Sequence, residues 1–182
     1  MPLVIIRPNA TTSETGWASS NIHTIIGDND ATTTVDQTST TCNFTGTLDD
    51  LDGSLSDATI NSMTISLRAV AGRTGTSVCT LAYQHATDGL FGSEAETVTS
   101  DTTYTTSART TDGGAGSALT FAYVNALSVK LQPNTAGVTV AELFVTVDYT
   151  AAVVSTPTYD STVNNIHVTS GNIDVTSGNI FI

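Results

Sequence analysis

The densest chemistry-bearing group in this chain is a set of carboxylates at Asp49, Asp50 and Asp52, with Asp57 close behind. A second acidic turn, Gly27-Asp28-Asn29-Asp30, stands upstream. Calcium takes roughly six to eight oxygens from carboxylates and carbonyls on tight loops, so Asp49, Asp50 and Asp52 are its candidate ligands. The EF-hand spacing, with its closing Glu, is absent. A solvated turn that adds solubility explains the same residues without a metal. His85 and Asp88 are the one His–carboxylate pair close in sequence. No Gly-x-Ser-x-Gly elbow accompanies them, and Asp88-Gly89 reads as a turn. A carboxylate pair for glycoside hydrolysis is recognised in space rather than in sequence. The aromatic-rich cleft that usually surrounds one is not suggested by 6% aromatics. The chain therefore reads as non-enzymatic. Trp17, Tyr83, Phe91, Tyr104 and Tyr123 are the aromatics that could stack on a sugar, or equally pack a core. Cys42 and Cys79 make no disulfide framework, and with His23, His85 and His167 they show no zinc spacing. Buried free thiols are the expectation, with one bridge as the alternative. The triplets Asn9-Ala10-Thr11 and Asn43-Phe44-Thr45 match the glycosylation acceptor by chance, since residues 1–7 are too short for a secretory signal and carry Arg7.

What must position such residues is β structure. The chain has 182 residues, 39% hydrophobic but only 12% charged, with polarity supplied by Thr, Ser and Asn. β-Branched residues suit pleated sheets. The formal net charge is −12 with 5 Lys+Arg, which leaves no basic patch for nucleic-acid phosphates or an anionic membrane. No run approaches the ~18 apolar residues of a membrane-spanning helix.

Period-two patterning recurs. It is clearest over 60–70, where Met63, Ile65, Leu67 and Ala69 alternate with Thr64, Ser66 and Arg68. Further strands are expected over 3–7, weakly over 21–26, then over 40–44, 78–85, 96–105 and 138–149. Within 118–131 a single helical turn is a candidate near Tyr123–Leu127. A register shift near Ala141-Glu142 predicts a bulge in the last strand. Short strands separated by turn signals define an all-β fold, an antiparallel β-sandwich of jelly-roll type over 1–151.

The order of several motifs is similar to that of jelly-roll β-sandwich virion proteins of tailed phages. They are Gly16-Trp17, the 27–30 turn, Cys42-Asn43-Phe44, the 60–69 strand, Ala122-Tyr123-Val124-Asn125-Ala126-Leu127 and the 140–149 strand. Phe121 stands where that pattern often carries Trp. The resemblance implies a capsid decoration or cement protein, or a tail-associated module, with no catalytic residues to transfer.

Residues 152–182 form a linker and an extended C-terminal β arm in which VTSGNI occurs in tandem at 168–173 and 175–180. Val168, Ile173, Val175 and Ile180 are expected to anchor it on a neighbour, with Gly171 and Gly178 permitting bends. An extended arm of about 20 residues would reach roughly 65 Å. The expectation is a structural virion protein that stabilises the shell. It would form a homo-oligomer, expected to be a trimer, bind the major capsid protein or another virion protein, and be assembled in the host cytoplasm. The alternative is a tail-fibre or knob module that binds carbohydrate.

Overall fold

The computed structural model describes residues 2–72, 75–135, 137–153, 158–160 and 165–167. The chain divides into two units, Met1–Ala151 and Ala152–Ile182. In the second unit, strands Thr158–Asp160 and Asn165–His167 pair antiparallel. The arm residues Val168, Gly171, Ile173, Val175, Gly178 and Ile180 lie outside the described residues.

The first unit is an antiparallel β-sandwich. One sheet contains β1 (Leu3–Ile6), β10 (Val138–Thr150), β5 (Thr59–Ala71) and β8 (Thr102–Thr105) in that order, with β3 (Val35–Asp36) also paired to β10. The other runs β2 (Pro8–Thr15), β4 (Asn43–Leu48), β9 (Leu127–Pro133), β6 (Ser77–His85), β7 (Gly89–Val98). The chain changes sheets at Arg7, between the end of β1 and the start of β2. Pro8, which has no N–H to give a central ladder, opens the edge strand β2.

The core lies between the sheets. Met63, Ile65, Leu67 and Ala69 point inward from β5 as their alternation requires, none more than 1% exposed. From β10, Val138 and Val140 face inward, then Leu143, Val145 and Val147. The change of phase is the expected bulge, between Val140 and Glu142.

Three expectations are corrected. The strand expected over 40–44 begins only at Asn43 and runs on to Leu48. Residues 21–26 are no strand: α1 (His23–Ile26) is a helical turn. Ile22 and Ile26, four apart, fall on one helix face, and both are fully buried. Glu14 accepts the N–H groups of Asn21 (2.7 Å) and Ile22 (3.1 Å) and fixes the turn. Residues 96–105 are no single strand either. β7 ends at Val98 and β8 starts at Thr102, and the Tyr104 hydroxyl ties the intervening turn by accepting from Thr99 N and donating to Ser100 O.

Candidate functional site

The acidic loop does not assemble a metal site. Asp52 Oδ1 accepts from Ser54 N at 2.8 Å and caps the 3-10 turn Gly53–Leu55, and that backbone N–H holds its carboxyl below the ordinary range. Between Asp50 and Asp52, Leu51 is buried and donates its N–H to Asn125 Oδ1 at 2.8 Å. The loop thereby ties the end of β4 to α2 (Phe121–Asn125). Among the described residues no group of three or more His, Cys, Asp or Glu is placed to hold a metal ion.

His85 and Asp88 do meet, Nδ1 to Oδ2 at 3.5 Å, but inside a structural knot. The His85 ring stacks on Tyr123 with centroids 4.4 Å apart. The Tyr123 hydroxyl donates to Asp88 Oδ2 at 2.7 Å and accepts from Gly113 N at 2.9 Å. The backbone of Gly113 and Gly114 lies so close that an added Cβ would stand 2.4 Å from Phe91 and 2.5 Å from Asp88 respectively. These contacts lock the glycine-rich 112–117 loop over the β6–β7 hairpin. Burial is the main cause that pushes the Tyr123 hydroxyl up to about 12. Tyr123→Phe is expected to lose about 1.5–3 kcal/mol, the usual worth of a hydrogen bond to a charged group. Urea denaturation would read the loss, with faster amide exchange over 113–117; an unchanged midpoint would refute the latch.

The other aromatics are mostly structural as well. Tyr83 is fully buried and stacks on Phe91 at 5.5 Å. Trp17 donates its indole N–H to Asn43 O at 2.8 Å and is half-buried against the core. It also lines a hollow of about 320 Å³ with Glu14 and residues 15–20. Glu14 is already engaged there in holding α1.

The candidate site is a groove of about 520 Å³ on the outer face of the β2-β4-β9-β6-β7 sheet. Strand register builds it. Phe44, Leu131 and Leu81 form one cross-strand row, and Gly46, Val129 and Tyr83 another; both face the core. The rows between them must face outward. These are Thr45–Lys130–Ala82 and Thr47–Ser128–Gln84. Two bulges bend β2 between Pro8 and Ala10 and between Thr11 and Ser13, which brings Thr12 and Ser13 to the groove wall. Thr12 Oγ1 donates to Thr45 O at 2.9 Å and closes that side. Asn43, on β4 two residues from Thr45, completes the wall, and Ala86 and Ala126 line one end.

The lining is hydroxyl, amide and one cation, with no carboxylate and no aromatic ring. Lys130 is the only lysine of the chain. Arg7 meets Glu142 at 3.7 Å, Arg68 meets Asp101 at 3.2 Å and Arg109 meets Glu94 at 3.5 Å. Among the described residues Lys130 alone of the Lys and Arg side chains has no carboxylate partner. Asn43 Oδ1 is buried and accepts no hydrogen bond from the protein.

None of the residues that define this groove was singled out by sequence reasoning as a ligand contact. Their signal was present but faint. In Leu127-Ser128-Val129-Lys130-Leu131 the polar positions of an alternating strand include a lone lysine.

No family model matches the sequence, and no curated protein matches it. Two solved structures are similar at low identity. One is a CBM6 carbohydrate-binding module from Cellvibrio mixtus lichenase 5A, in complex with cellotriose. It is 12% identical, covers 81% of this chain and 97% of its own, and has a TM-score of 0.46. The other is the C-terminal CBM6 of LamC, a marine laminarinase from Zobellia galactanivorans. It is 9% identical, covers 80% and 98% respectively, and has a TM-score of 0.43.

Proposed function

We propose that the sandwich is a non-catalytic binding module for a polyhydroxylated ligand, an oligosaccharide, seated in the groove on the outer face of the β2-β4-β9-β6-β7 sheet. The observation that carries this is the set of in-register polar side chains Thr45, Lys130, Ser128 and Gln84 on adjacent strands of one sheet, backed by a buried, largely apolar layer. Sugar hydroxyls both donate and accept. Ser, Thr, Asn and Gln side chains do the same, so they match such a ligand from several directions at once. A site on strands holds its groups more firmly than one on loops.

With no aromatic ring in the lining, affinity rests on hydrogen bonds worth about 0.5–1.5 kcal/mol each. A dissociation constant of about 0.1–1 mM is therefore expected. Shell decoration, the other reading, draws on the tail repeats outside the described residues, and the groove lies within them.

Ser128→Phe fills the groove floor from an outward position. Calorimetric titration across a panel of oligosaccharides should show binding by the wild type and none by this variant, with stability kept within about 0.5 kcal/mol. A wild type that binds no saccharide, or a Ser128→Phe variant that binds as well as the wild type, sinks the proposal.

A further inference from the structure

We infer that the groove selects an acidic saccharide, one whose carboxylate or sulfate is held by Lys130 while a neighbouring sugar hydroxyl donates to Asn43. The inference rests on the saccharide reading above and names its ligand class.

Two independent features of the groove carry it. The first is the state of Lys130. In a chain of net charge −12, the three described arginines each have a carboxylate within 4 Å, yet among the described residues this ammonium has none. Its cross-strand neighbours are Thr45 and Ala82, and no acidic side chain lines the groove around it. An anion brought there meets a cation that no carboxylate among the described residues competes for. A charge-assisted hydrogen bond of this kind is roughly twice as strong as a neutral one.

The second feature is Asn43 Oδ1, buried in the wall of the same groove without a donor from the protein. Its strand position is fixed, because Asn43 O accepts from the Trp17 indole at 2.8 Å. A buried acceptor left without a partner is unfavourable, so a turn of the Asn43 side chain that brings Oδ1 out to a ligand O–H breaks no existing bond and gains one. A simple inorganic anion would satisfy Lys130 and leave Asn43 as it is. A neutral sugar would do the reverse. A sugar that carries both groups satisfies the two together.

The test uses the full chain and three probes. These are an oligosaccharide with one uronic acid, its carboxyl-reduced counterpart, and a counterpart sulfated at the same position. Calorimetric titration should find an acidic form bound about tenfold or more tighter than the reduced form. Lys130→Met, which keeps the length of the side chain, should bring that ratio close to unity. Ser128→Asp, which sets a carboxylate on the same strand face beside Lys130, should do so while the lysine remains. Which acidic probe wins tells carboxylate from sulfate. If wild-type protein binds acidic and reduced probes equally, or if both variants keep the preference, acid selection is wrong while the saccharide reading stands. If none of the probes binds and no other saccharide does, both fall.

Discussion

Phe44→Ala should destabilise the sandwich by about 3–5 kcal/mol, the range for removing a buried aromatic ring. For a domain of this size that lowers the melting midpoint by roughly 2–4 °C per kcal/mol. Phe44 is fully buried on β4 in the row directly beneath the groove, opposite Leu131. Its ring fills the space that Gly46 leaves open: a Cβ added at Gly46 would stand 2.4 Å from Phe44 Cζ and 2.8 Å from the carbonyl of Ala10. Gly46→Ala in the wild-type background should therefore cost about 1–3 kcal/mol through overpacking. In a Phe44→Leu background the ring clash disappears and only the approach to Ala10 remains. The two substitutions should then be non-additive, with a coupling of about 0.5–3 kcal/mol in the favourable direction. Denaturant titration of the single and double variants measures it. Strict additivity would mean that the strand has moved away from the ring, and the alternating rows that support the groove would need to be redrawn.

Legibility in the sequence followed burial. β5 and β10 are central to their sheet, and the alternation of Met63, Ile65, Leu67 and Ala69 and the phase change at Ala141 could be read directly, whereas the helical turn expected near Tyr123–Leu127 lies two residues earlier, at Phe121–Asn125. β2 and β7 are edge strands with mostly polar or glycine positions, so neither carries an apolar period. β2 in particular was hidden behind Pro8, which reads as a stop and in fact marks the crossing to the second sheet. Ile22 and Ile26 were misread because a single turn of helix is too short to show its period.

The groove was illegible for a different reason. Thr12, Asn43, Gln84 and Lys130 come from different strands, and only the pairing of β2, β4, β9 and β6 sets them side by side. The features that stood out in one dimension turned out to be local. Asp52 caps its own turn, and Asp88 closes the loop above it. Clustering along a chain favours turns and caps, because those are made by near neighbours. A binding face of a sheet draws its residues from distant strands at intervals of two.

Alkaline titration should destabilise this protein, and the thiols set where the decline begins. Cys42 and Cys79 are both free and buried, as the sequence leads one to expect. Burial pushes each thiol up to about 12, from an ordinary value of 9.0, and the neighbouring Cys79 adds to the effect on Cys42. Burial likewise raises Tyr83, and raises Tyr123 to about 12. In each case the native state holds a proton that the unfolded chain releases at lower pH. Their stabilisation is thus fully present below about pH 9 and is lost as the pH climbs toward 12. Denaturation midpoints should be level from pH 7 to about 8.5 and then fall, the thiols acting first and the tyrosines above about pH 10. A Cys42→Ala, Cys79→Ala double variant should start from a lower stability, because two buried side chains are shortened. It should nevertheless stay level to about pH 10, the point at which the tyrosines begin to titrate. Thiol reagents should label the native wild type only at the rate of unfolding, since a buried protonated thiol is a poor nucleophile. A double variant that declines from pH 9 as steeply as the wild type would show that the thiols are not the groups that titrate. Fast labelling of the native protein at neutral pH would show that they are not buried in solution.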